Sequence, residues 1–513
     1  MVILCPSGPP LPPTWTETLV PTRTPRAPGR RRLALGVAAL VLAGGGVATA
    51  TLATPGAPPV VPPGAPAPPT PPATAGPGAR PLDDSFLAGD DDPVPATDRT
   101  VQVADADALT DALAAVRAGT TVVLADGTYD GEFSVAVRAT ADAPVVVRAA
   151  NPGRAVIAPG AALVVKNSAH VVVAGLTFRS GADTLLKLEA SNDVRATHNT
   201  FERGAAGEGS SKWLYVGGAG SHDNRIDHNT FSGKTDAGNY LTLDGSETQV
   251  SQRDRIDHNR FAKIGPRAEN EKEAVRLGWS GISMSSGFTV FEWNLLEECD
   301  GDPEVVSVKA SDMTVRYNTV RRSKGVLSLR HGDRNSLYGN VVLGEGRPGT
   351  GGIRMYGVDN RVFNNYVAGT TGTGFDAALS IDGGDAEPGG GLNKHHRVDN
   401  AQVVFNTLVD NATGIVIGEN YPKAPVNPTV ENNLLADSGE IRQVKAPAGG
   451  SLANNTVGTK ADVGLAPAGE AWKLAPGSPE IDKAVGSFDF VTTDFEGGAR
   501  SGTKDVGADE HEG

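Results

Sequence analysis

The sequence has few of the residues on which several protein classes depend. Only two cysteines, Cys5 and Cys299, occur in 513 residues, which excludes a disulfide framework. Aromatic residues make up 5% of the chain, and long amphipathic helical patterns are nearly absent. The net charge of −14 argues against nucleic acid as a partner. It does not exclude a polyanionic substrate, because a local cleft of Lys and Arg, or a bound cation, attracts an anionic polymer.

Glycine and short apolar runs are abundant instead. The chain has 64 glycines, and its many brief Val, Ile and Leu runs are separated by Gly, Asn and Asp. This pattern predicts many short strands joined by tight turns. The thiol of Cys299 has no base-rich signature around it, so we expect it to pack in the core rather than act as a nucleophile.

The first hundred residues have the composition of a leader and a linker. Arg30, Arg31 and Arg32 precede an apolar run at residues 33–48 that is too short and too glycine-rich for stable membrane insertion. Small residues at 48–50 follow, so we predict an export signal at residues 1–50, similar to the twin-arginine type, with an uncleaved anchor as the alternative. Residues 51–98 are predicted to be a Pro/Ala/Gly-rich linker.

A repeated asparagine organises the rest of the chain. Successive occurrences are 30, 30, 35, 24, 22, 25, 41, 27 and 22 residues apart, which defines a unit in the low twenties with insertions in particular coils. The positions are Asn199, Asn229, Asn259, Asn294, Asn318, Asn340, Asn365, Asn406, Asn433 and Asn455. This spacing predicts an all-β fold, a right-handed single-stranded parallel β-helix over residues 99–513.

The asparagines also predict how the coils stack. Asn tolerates the left-handed turn conformation, and its amide can bond to the identical amide on the next coil, so we predict a ladder at the strand spacing of ~4.8 Å. His198, His228 and His258 precede three of these asparagines, and their repetition marks a structural rung rather than a catalytic role. A helix-like stretch at residues 108–117 predicts a short N-terminal capping helix.

The excess residues in the longer repeats form insertions. The longest lie at residues 204–220, 244–251, 265–286 and 369–397. Loops that grow from one side of a rigid stack usually build its binding face, so we expect these four to wall a groove.

Four charged residues in the middle of the repeat form a candidate site. Asp302 and Glu304 lie two apart, so an extended strand directs both carboxylates to one face, and paired oxygens suit a hard cation such as Ca²⁺. Lys309 and Arg330 are twenty-one apart, close to one coil, which predicts adjacent positions on successive coils. Glu304 and Lys309 differ in parity, so we expect a bend between them. Taken singly, each of the four is more typical of a solvated surface.

The segments around these residues resemble polysaccharide lyase family 6, the β-helix lyases that include alginate lyases and the chondroitinase B group. The resemblance runs over residues 100–440, and five segments match in order and spacing. They are N-E-K-E-A-V-R-L-G at 270–278, D-G-D-P-E-V-V-S-V-K at 300–309, L-S-L-R-H-G at 327–332, G-G-I-R-M-Y-G at 351–357 and N-N-Y at 364–366. Five ordered motifs are far more specific than one.

The resemblance implies roles for particular residues. The calcium ligands would be Asn270, Asp302 and Glu304, although the family usually has Glu where this chain has Asp302. The Brønsted base would be Lys309 and the acid Arg330. A bound Ca²⁺ would neutralise the substrate carboxylate, and burial together with nearby cations would help Lys309 to lose its proton.

Other basic residues are candidates for substrate binding. His331, next to Arg330, would bond to a sugar hydroxyl or brace the arginine. Arg354 and Arg276 lie in matched motifs and would bind carboxylates through paired hydrogen bonds, with pairing to nearby acids as the alternative. The basic run at residues 394–397 is interpreted as a solvated loop.

The resulting prediction is a secreted lyase that cleaves alginate, an anionic polysaccharide, by β-elimination and leaves an unsaturated sugar. Three alternatives stay open. The first is the same chemistry on dermatan or chondroitin sulfate, the second is a β-helix hydrolase or epimerase, and the third is a non-catalytic carbohydrate-binding β-helix. No feature of the sequence points to a particular oligomeric state.

Overall fold

The computed structural model describes residues 83–204, 209–268 and 270–511. The predicted export signal and residues 51–82 of the predicted linker lie outside the described residues. Among the residues that are described, no helix is both long enough and apolar enough to cross a membrane.

The body of the chain is a right-handed parallel β-helix of about 13 turns, as predicted. Each coil contributes one strand to each of three parallel sheets. The first sheet contains, in order, Arg99–Val103, Thr120–Leu124, Val145–Ala149, Val171–Ala174, Arg195–Thr197, Arg225–Asp227, Arg255–Asp257, Val290–Glu292, Thr314–Arg316, Ser336–Tyr338, Arg361–Phe363, Gln402–Val404, Thr429–Glu431 and Ser451–Ala453.

The second and third sheets complete the coil. The second sheet contains Glu132–Val135, Ala162–Lys166, Thr184–Glu189, Lys212–Gly217, Leu241–Leu243, Val275–Gly278, Glu304–Lys309, Gly325–His331, Thr350–Met355, Leu379–Ile381, Ile415–Ile417 and Ile441–Gln443. The third sheet contains Gly127–Tyr129, Ala155–Ile157, Thr177–Arg179, Thr200–Glu202, Thr230–Ser232, Arg260–Ala262, Leu295–Glu297, Thr319–Arg321, Val341–Leu343, Tyr366–Ala368, Thr407–Val409, Leu434–Ala436 and Thr456–Gly458.

The predicted asparagine ladder is present in full. Each of the ten amides is buried or half-buried between the first and third sheets, and the Nδ2 of each of the first nine donates to Oδ1 of the asparagine on the next coil. These nine hydrogen bonds measure between 2.8 and 3.0 Å, from the Asn199 to Asn229 bond through to the Asn433 to Asn455 bond. The ladder satisfies buried polar groups that would otherwise destabilise a turn at this position.

One detail of the ladder differs from the prediction. The left-handed conformation belongs to the residue before each asparagine, for example His198 with φ 54° and Trp293 with φ 54°. On three successive coils this residue is a histidine, and the three side chains stack on one another. The rings of His198, His228 and His258 lie 5.0 and 5.2 Å apart between centroids, which confirms a structural rung.

The interior is a continuous apolar column. Phe178, Phe201, Phe231 and Phe261 occupy the same position on four successive coils and stack with centroid separations of 4.8, 4.5 and 4.8 Å. Burial of each such ring stabilises the fold by ~2 kcal/mol. Cys299 is a free, buried thiol in this core, as predicted.

The N-terminal end carries the predicted cap. The α-helix Ala106–Ala114 begins where the Asp105 carboxylate accepts a hydrogen bond from Ala108 N, and it buries Leu109 and Leu113 over the first coils. The strand Arg99–Val103 precedes this helix and pairs with Thr120–Leu124, an addition that the sequence pattern did not predict.

Residues 83–98, assigned to the linker from composition, lie against the solenoid. They include the 3₁₀ helix Asp84–Ala88, whose Phe86 is buried. The carboxylate of Asp90 forms ion pairs with Arg225 and Arg255 of the first sheet. Opposite charges therefore hold the chain down, which a proline-rich composition does not reveal.

Smaller elements complete the structure. They are the 3₁₀ helices Ser280–Ile282 and Gly374–Asp376, and an antiparallel pair in which the strand Leu465–Ala468 is hydrogen-bonded to the strand Ala471–Leu474. Both of these 3₁₀ helices lie in predicted insertions. Each of these two predicted insertions contains a strand of the second sheet, Val275–Gly278 and Leu379–Ile381, so their remaining loops flank the face on which the candidate site lies.

Candidate active site

The candidate site is built on two irregular strands of the second sheet. Glu304–Lys309 pairs with Gly325–His331, and the register shifts once between Glu304 and Val306 and again between Val308 and Lys309. The first shift inserts Val305 and reverses the side-chain parity, so the predicted bend between Glu304 and Lys309 is confirmed. The second shift leaves Arg330 unpaired in the ladder, with Lys309 in register with the neighbouring His331.

Glu304 lies at the centre of a ring of donors. Its Oε1 accepts from Arg354 NH2 at 2.7 Å and from Ser328 Oγ at 3.1 Å, and Ser307 donates to Oε2. Arg330 Nε lies 3.7 Å from the same Oε1. Burial alone would raise the pKa of Glu304, but the surrounding positive charges, that of Arg354 foremost, outweigh it and lower the pKa to about 2.

Asp302 occupies a different environment two residues away. Its Oδ1 accepts from the backbone N–H of Glu304 at 2.9 Å and its Oδ2 from that of Lys272 at 3.4 Å. Among the described residues no cationic side chain pairs with it. Burial and the charges of Glu273 and Glu304 therefore raise the pKa of Asp302.

The three ligands predicted from the sequence offer the kind of atoms that a hard cation binds. Asp302 and Glu304 are buried carboxylates, and Asn270 is exposed in the turn that leads to Lys272. All three ligands predicted from the sequence offer oxygen, which Ca²⁺ prefers. Within the described residues the carboxylate of Asp302 itself lacks a cationic side-chain partner, and a divalent cation would offset its charge.

Lys309 has a partner that the sequence reasoning missed. Its Nζ donates to Oε1 of Glu273 at 2.8 Å, and the other oxygen of that carboxylate accepts from Asn239 Nδ2 at 2.8 Å. Glu273 is 1% exposed, whereas the Lys309 side chain is 14% exposed. The ammonium group is therefore held by an anion at the floor of the site. Glu273 belongs to the N-E-K-E segment that was matched to the family because of Asn270. Its place in that segment was the one sequence feature that pointed to Glu273.

Arg330 and His331 lie side by side at the bulge. The guanidinium of Arg330 lies 3.5 Å from His331 Nδ1 and 5.8 Å from the ring centre of Tyr356. His331 is buried, and burial together with the charge of Arg330 lowers the pKa of its imidazole to about 3. A neutral imidazole beside Arg330 is suited to brace the guanidinium or to bond a hydroxyl group.

The two arginines predicted to bind substrate carboxylates are paired with acids of the chain. Arg354 is buried and bonds to Glu304, and Arg276 NH2 bonds to both oxygens of Asp244 at 2.9 and 3.0 Å. Arg276 and Arg354 nevertheless occupy one lateral row of the sheet, through Ser307 and Ser328. The Nε atoms of both arginines are buried without a hydrogen-bond partner within the described residues.

The basic run at residues 394–397 is only partly solvated. Lys394 is exposed, but the His395 ring stacks on Tyr421 at 4.1 Å and lies 4.6 Å from the ring of Tyr356. Burial and the charge of Arg330 lower the pKa of His395 to about 2. The last insertion therefore brings an aromatic cluster to the side of Arg330, which charge pattern alone did not indicate.

Comparison with known proteins gives the family. The family model of Chondroitinase B matches residues 103–461. Among solved structures, the PL6 family alginate lyase AlyGC is 29% identical with a TM-score of 0.63 over 69% of this chain. The chain covers 51% of AlyGC, about half of its length.

Two further structures are similar. A mannuronic acid specific polysaccharide family 6 lyase from human gut microbiota is 25% identical, with a TM-score of 0.61 over 68% of this chain and 83% of its own. A PL6 alginate lyase in complex with a trisaccharide, at 22% identity, TM-score 0.62 and coverage of 75% and 92%, shares the fold. A search of curated proteins finds no match. The family match over residues 103–461, on a solenoid that carries the expected residues on adjoining coils, shows that the chain belongs to the chondroitinase B family of polysaccharide lyase family 6.

Proposed function

We propose that the protein is a secreted polysaccharide lyase that cleaves alginate by β-elimination. The observation that carries the proposal is the arrangement of Lys309 and Arg330 around the carboxylate of Glu304. Lys309 and Glu304 lie on one strand, and the register shift in the adjoining strand brings Arg330 beside them. Similarity to AlyGC, an alginate lyase, supports the choice of polymer.

The proposed chemistry assigns one task to each residue. The proton on C5 of a uronate lies next to a carboxylate, whose charge opposes the carbanion-like transition state. Lys309 Nζ removes this proton, the electron pair forms the C4–C5 double bond, and the C4–oxygen bond breaks. Arg330 stabilises the departing oxygen, which takes up a proton from water. The base is the unprotonated amine of Lys309. Glu273 holds Nζ in position, because a fixed amine meets C5 more often than a mobile one, and its carboxylate balances the charge of the ammonium group that forms.

We also propose that Asn270, Asp302 and Glu304 hold Ca²⁺. When bound, the ion would supply Lewis-acid stabilisation of charge on the substrate carboxylate. The support is the pair of adjacent buried carboxylates, one of which has no cationic side-chain partner. Binding would stabilise the folded protein. The thermal midpoint should therefore rise with Ca²⁺, fall with chelator, and respond less in Asp302→Asn.

The same chemistry on dermatan or chondroitin sulfate is the second candidate, because the matching family model is that of Chondroitinase B. The deciding experiment incubates alginate, poly-guluronate, poly-mannuronate and dermatan sulfate with the protein, each with calcium or chelator. Ultraviolet absorbance of the new double bond reports elimination. We expect turnover of alginate by the wild type, none by Lys309→Ala, and wild-type rates for the exposed control Lys483→Ala.

The outcomes separate the candidates. Absorbance only with dermatan sulfate would move the assignment to that polymer. New chain ends without absorbance would indicate a hydrolase, and polymer binding without turnover would indicate a carbohydrate-binding solenoid. Secretion is part of the proposal and rests on the sequence of residues 30–50. Replacing Arg30 and Arg31 by lysine should retain the protein inside the cell if the signal is of the twin-arginine type.

A further inference from the structure

Trp279 is an exposed aromatic residue on the coil before the proposed base, Lys309. It directly follows Gly278, which pairs in register with Lys309 on the next coil. The indole is 41% exposed, although large apolar side chains in this protein are otherwise mostly buried. In the part of the chain that the structure describes, no other ring and no cation packs on it.

Two glycines, one on each side of Trp279 in the sequence, determine where its ring lies. Gly278 has φ +84°, and a Cβ there would lie 2.6 Å from Lys309 O, so the strand turns tightly as it ends beside Lys309. A Cβ on Gly281 would lie 2.2 Å from the far edge of the Trp279 indole. The outer edge of the indole therefore lies against Gly281, where any side chain would collide with it, while 41% of Trp279 stays exposed.

An exposed indole whose edge is fixed against the backbone matches a sugar ring. The C–H groups on one side of a pyranose form an apolar patch, and the π face of an aromatic ring attracts the positive edges of C–H bonds. Charged groups occupy the same neighbourhood, since Arg276 lies three residues before Trp279 on the strand Val275–Gly278. A polymer that combines sugar rings with carboxylates fits both features together.

We propose that Trp279 is the stacking platform of a sugar subsite one coil before Lys309, and that it holds a uronate ring of the polymer adjacent to the bond that is cleaved. The inference rests on the proposed lyase function. It assigns binding, not chemistry, to Trp279, so its loss weakens substrate affinity and leaves the proton transfer by Lys309 intact. On the other side of the catalytic pair lies the aromatic cluster of His395 and Tyr421. Aromatic groups thus lie on the coil before Lys309 and beside Arg330 on the coil after it.

The test compares steady-state kinetics on alginate for four variants. Trp279→Ala should raise KM about tenfold while kcat changes less than about threefold, because a group that binds ground state and transition state equally affects KM. Trp279→Phe should recover most of the affinity. Gly281→Ala keeps the tryptophan but displaces it, and should raise KM in the same direction. Phe288→Ala is the matched control, since Phe288 is 39% exposed at the end of the same insertion and leads into a strand of the first sheet.

A binding measurement makes the result independent of turnover. In the Lys309→Ala background, alginate oligosaccharides should quench tryptophan fluorescence, and the change should disappear in Lys309→Ala/Trp279→Phe. An unchanged KM in Trp279→Ala, an equal effect of Phe288→Ala, or a quench that persists without Trp279 would overturn the inference. If the wild type shows no turnover but the Trp279-dependent quench is present, the lyase proposal fails and the sugar platform stands.

Discussion

Asp254 provides a direct test of how burial controls the stability of this solenoid. It precedes the strand Arg255–Asp257 and is 1% exposed. Its Oδ1 accepts from both the backbone N–H and the side-chain amide of Asn224 at 2.9 Å, while its Oδ2 is buried without a partner among the described residues. On later coils the same rung is occupied by Asn335 and Asn360. An aspartate stands here at a position suited to asparagine.

The expected magnitude follows from the pKa. Burial, with a contribution from the charge of Asp223, raises the pKa of Asp254 from 3.8 to about 6. The folded state therefore holds the proton more tightly than the unfolded state. The stability contribution is present below pH 3.8 and is lost as the pH rises through 6. The difference corresponds to about 3 kcal/mol above pH 7.

The substitution Asp254→Asn removes this pH-dependent loss and keeps the Oδ1 acceptor. Urea unfolding followed by circular dichroism, at pH 4 and at pH 8, should show the variant gaining about 2.5 kcal/mol over the wild type between the two pH values, because part of the loss has already occurred at pH 4. Comparison at each pH cancels the titration of all other groups. Asn335→Asp is the reciprocal control and should introduce the same pH dependence. A difference between variant and wild type that is the same at both pH values would refute the reasoning.

Three further outcomes are expected. Asn318→Ala should lower the free energy of unfolding by about 2–4 kcal/mol in urea, because it leaves the buried backbone N–H of Asn294 without its acceptor and removes one acceptor of the Asn294 side-chain amide. Asn455→Ala at the ladder end should lower it less, and equal losses would contradict the ladder. Glu304→Gln should lower the free energy of unfolding by about 3 kcal/mol by leaving Arg354 unpaired, and adding Arg354→Met should recover stability without activity. His395→Gln should leave the shape of the kcat/KM profile between pH 5 and 8 unchanged, since the pKa of His395 is about 2, and the loss of an inflection in the variant would count against this.

The architecture could be predicted because it depends on a repeated local interaction. Each ladder asparagine bonds to its counterpart on the next coil, so the same residue must recur once per coil whatever the length of the insertion. The 41-residue gap before Asn406 therefore appears in the sequence without obscuring the repeat. The left-handed residue was placed one position too late because the pattern shows recurrence but not which of two adjacent residues turns the chain.

The contacts of the site could be predicted only in part. The cluster around Asp302 and Lys309 was found because all its members lie in matched segments. Glu273 was missed although it lies in such a segment, because its contact with Lys309 joins strands on different coils and depends on side-chain direction. His395 and Trp279 lie in insertions, which have no repeat to fix their geometry. Their positions depend on packing against Tyr421 and Gly281, and sequence spacing does not encode that packing.

The location of the site follows from strand length. Most strands of the first and third sheets have three residues, and an extra residue there would displace the adjoining asparagine from its ladder. Glu304–Lys309, Gly325–His331 and Thr350–Met355 have six, seven and six residues, and their register shifts lie away from the ladder. A bulge can therefore reverse parity and direct Arg330 towards Glu304 without disturbing the coil spacing. Among the described residues, the register shifts between paired strands lie in this sheet, which is also the sheet that the insertions flank.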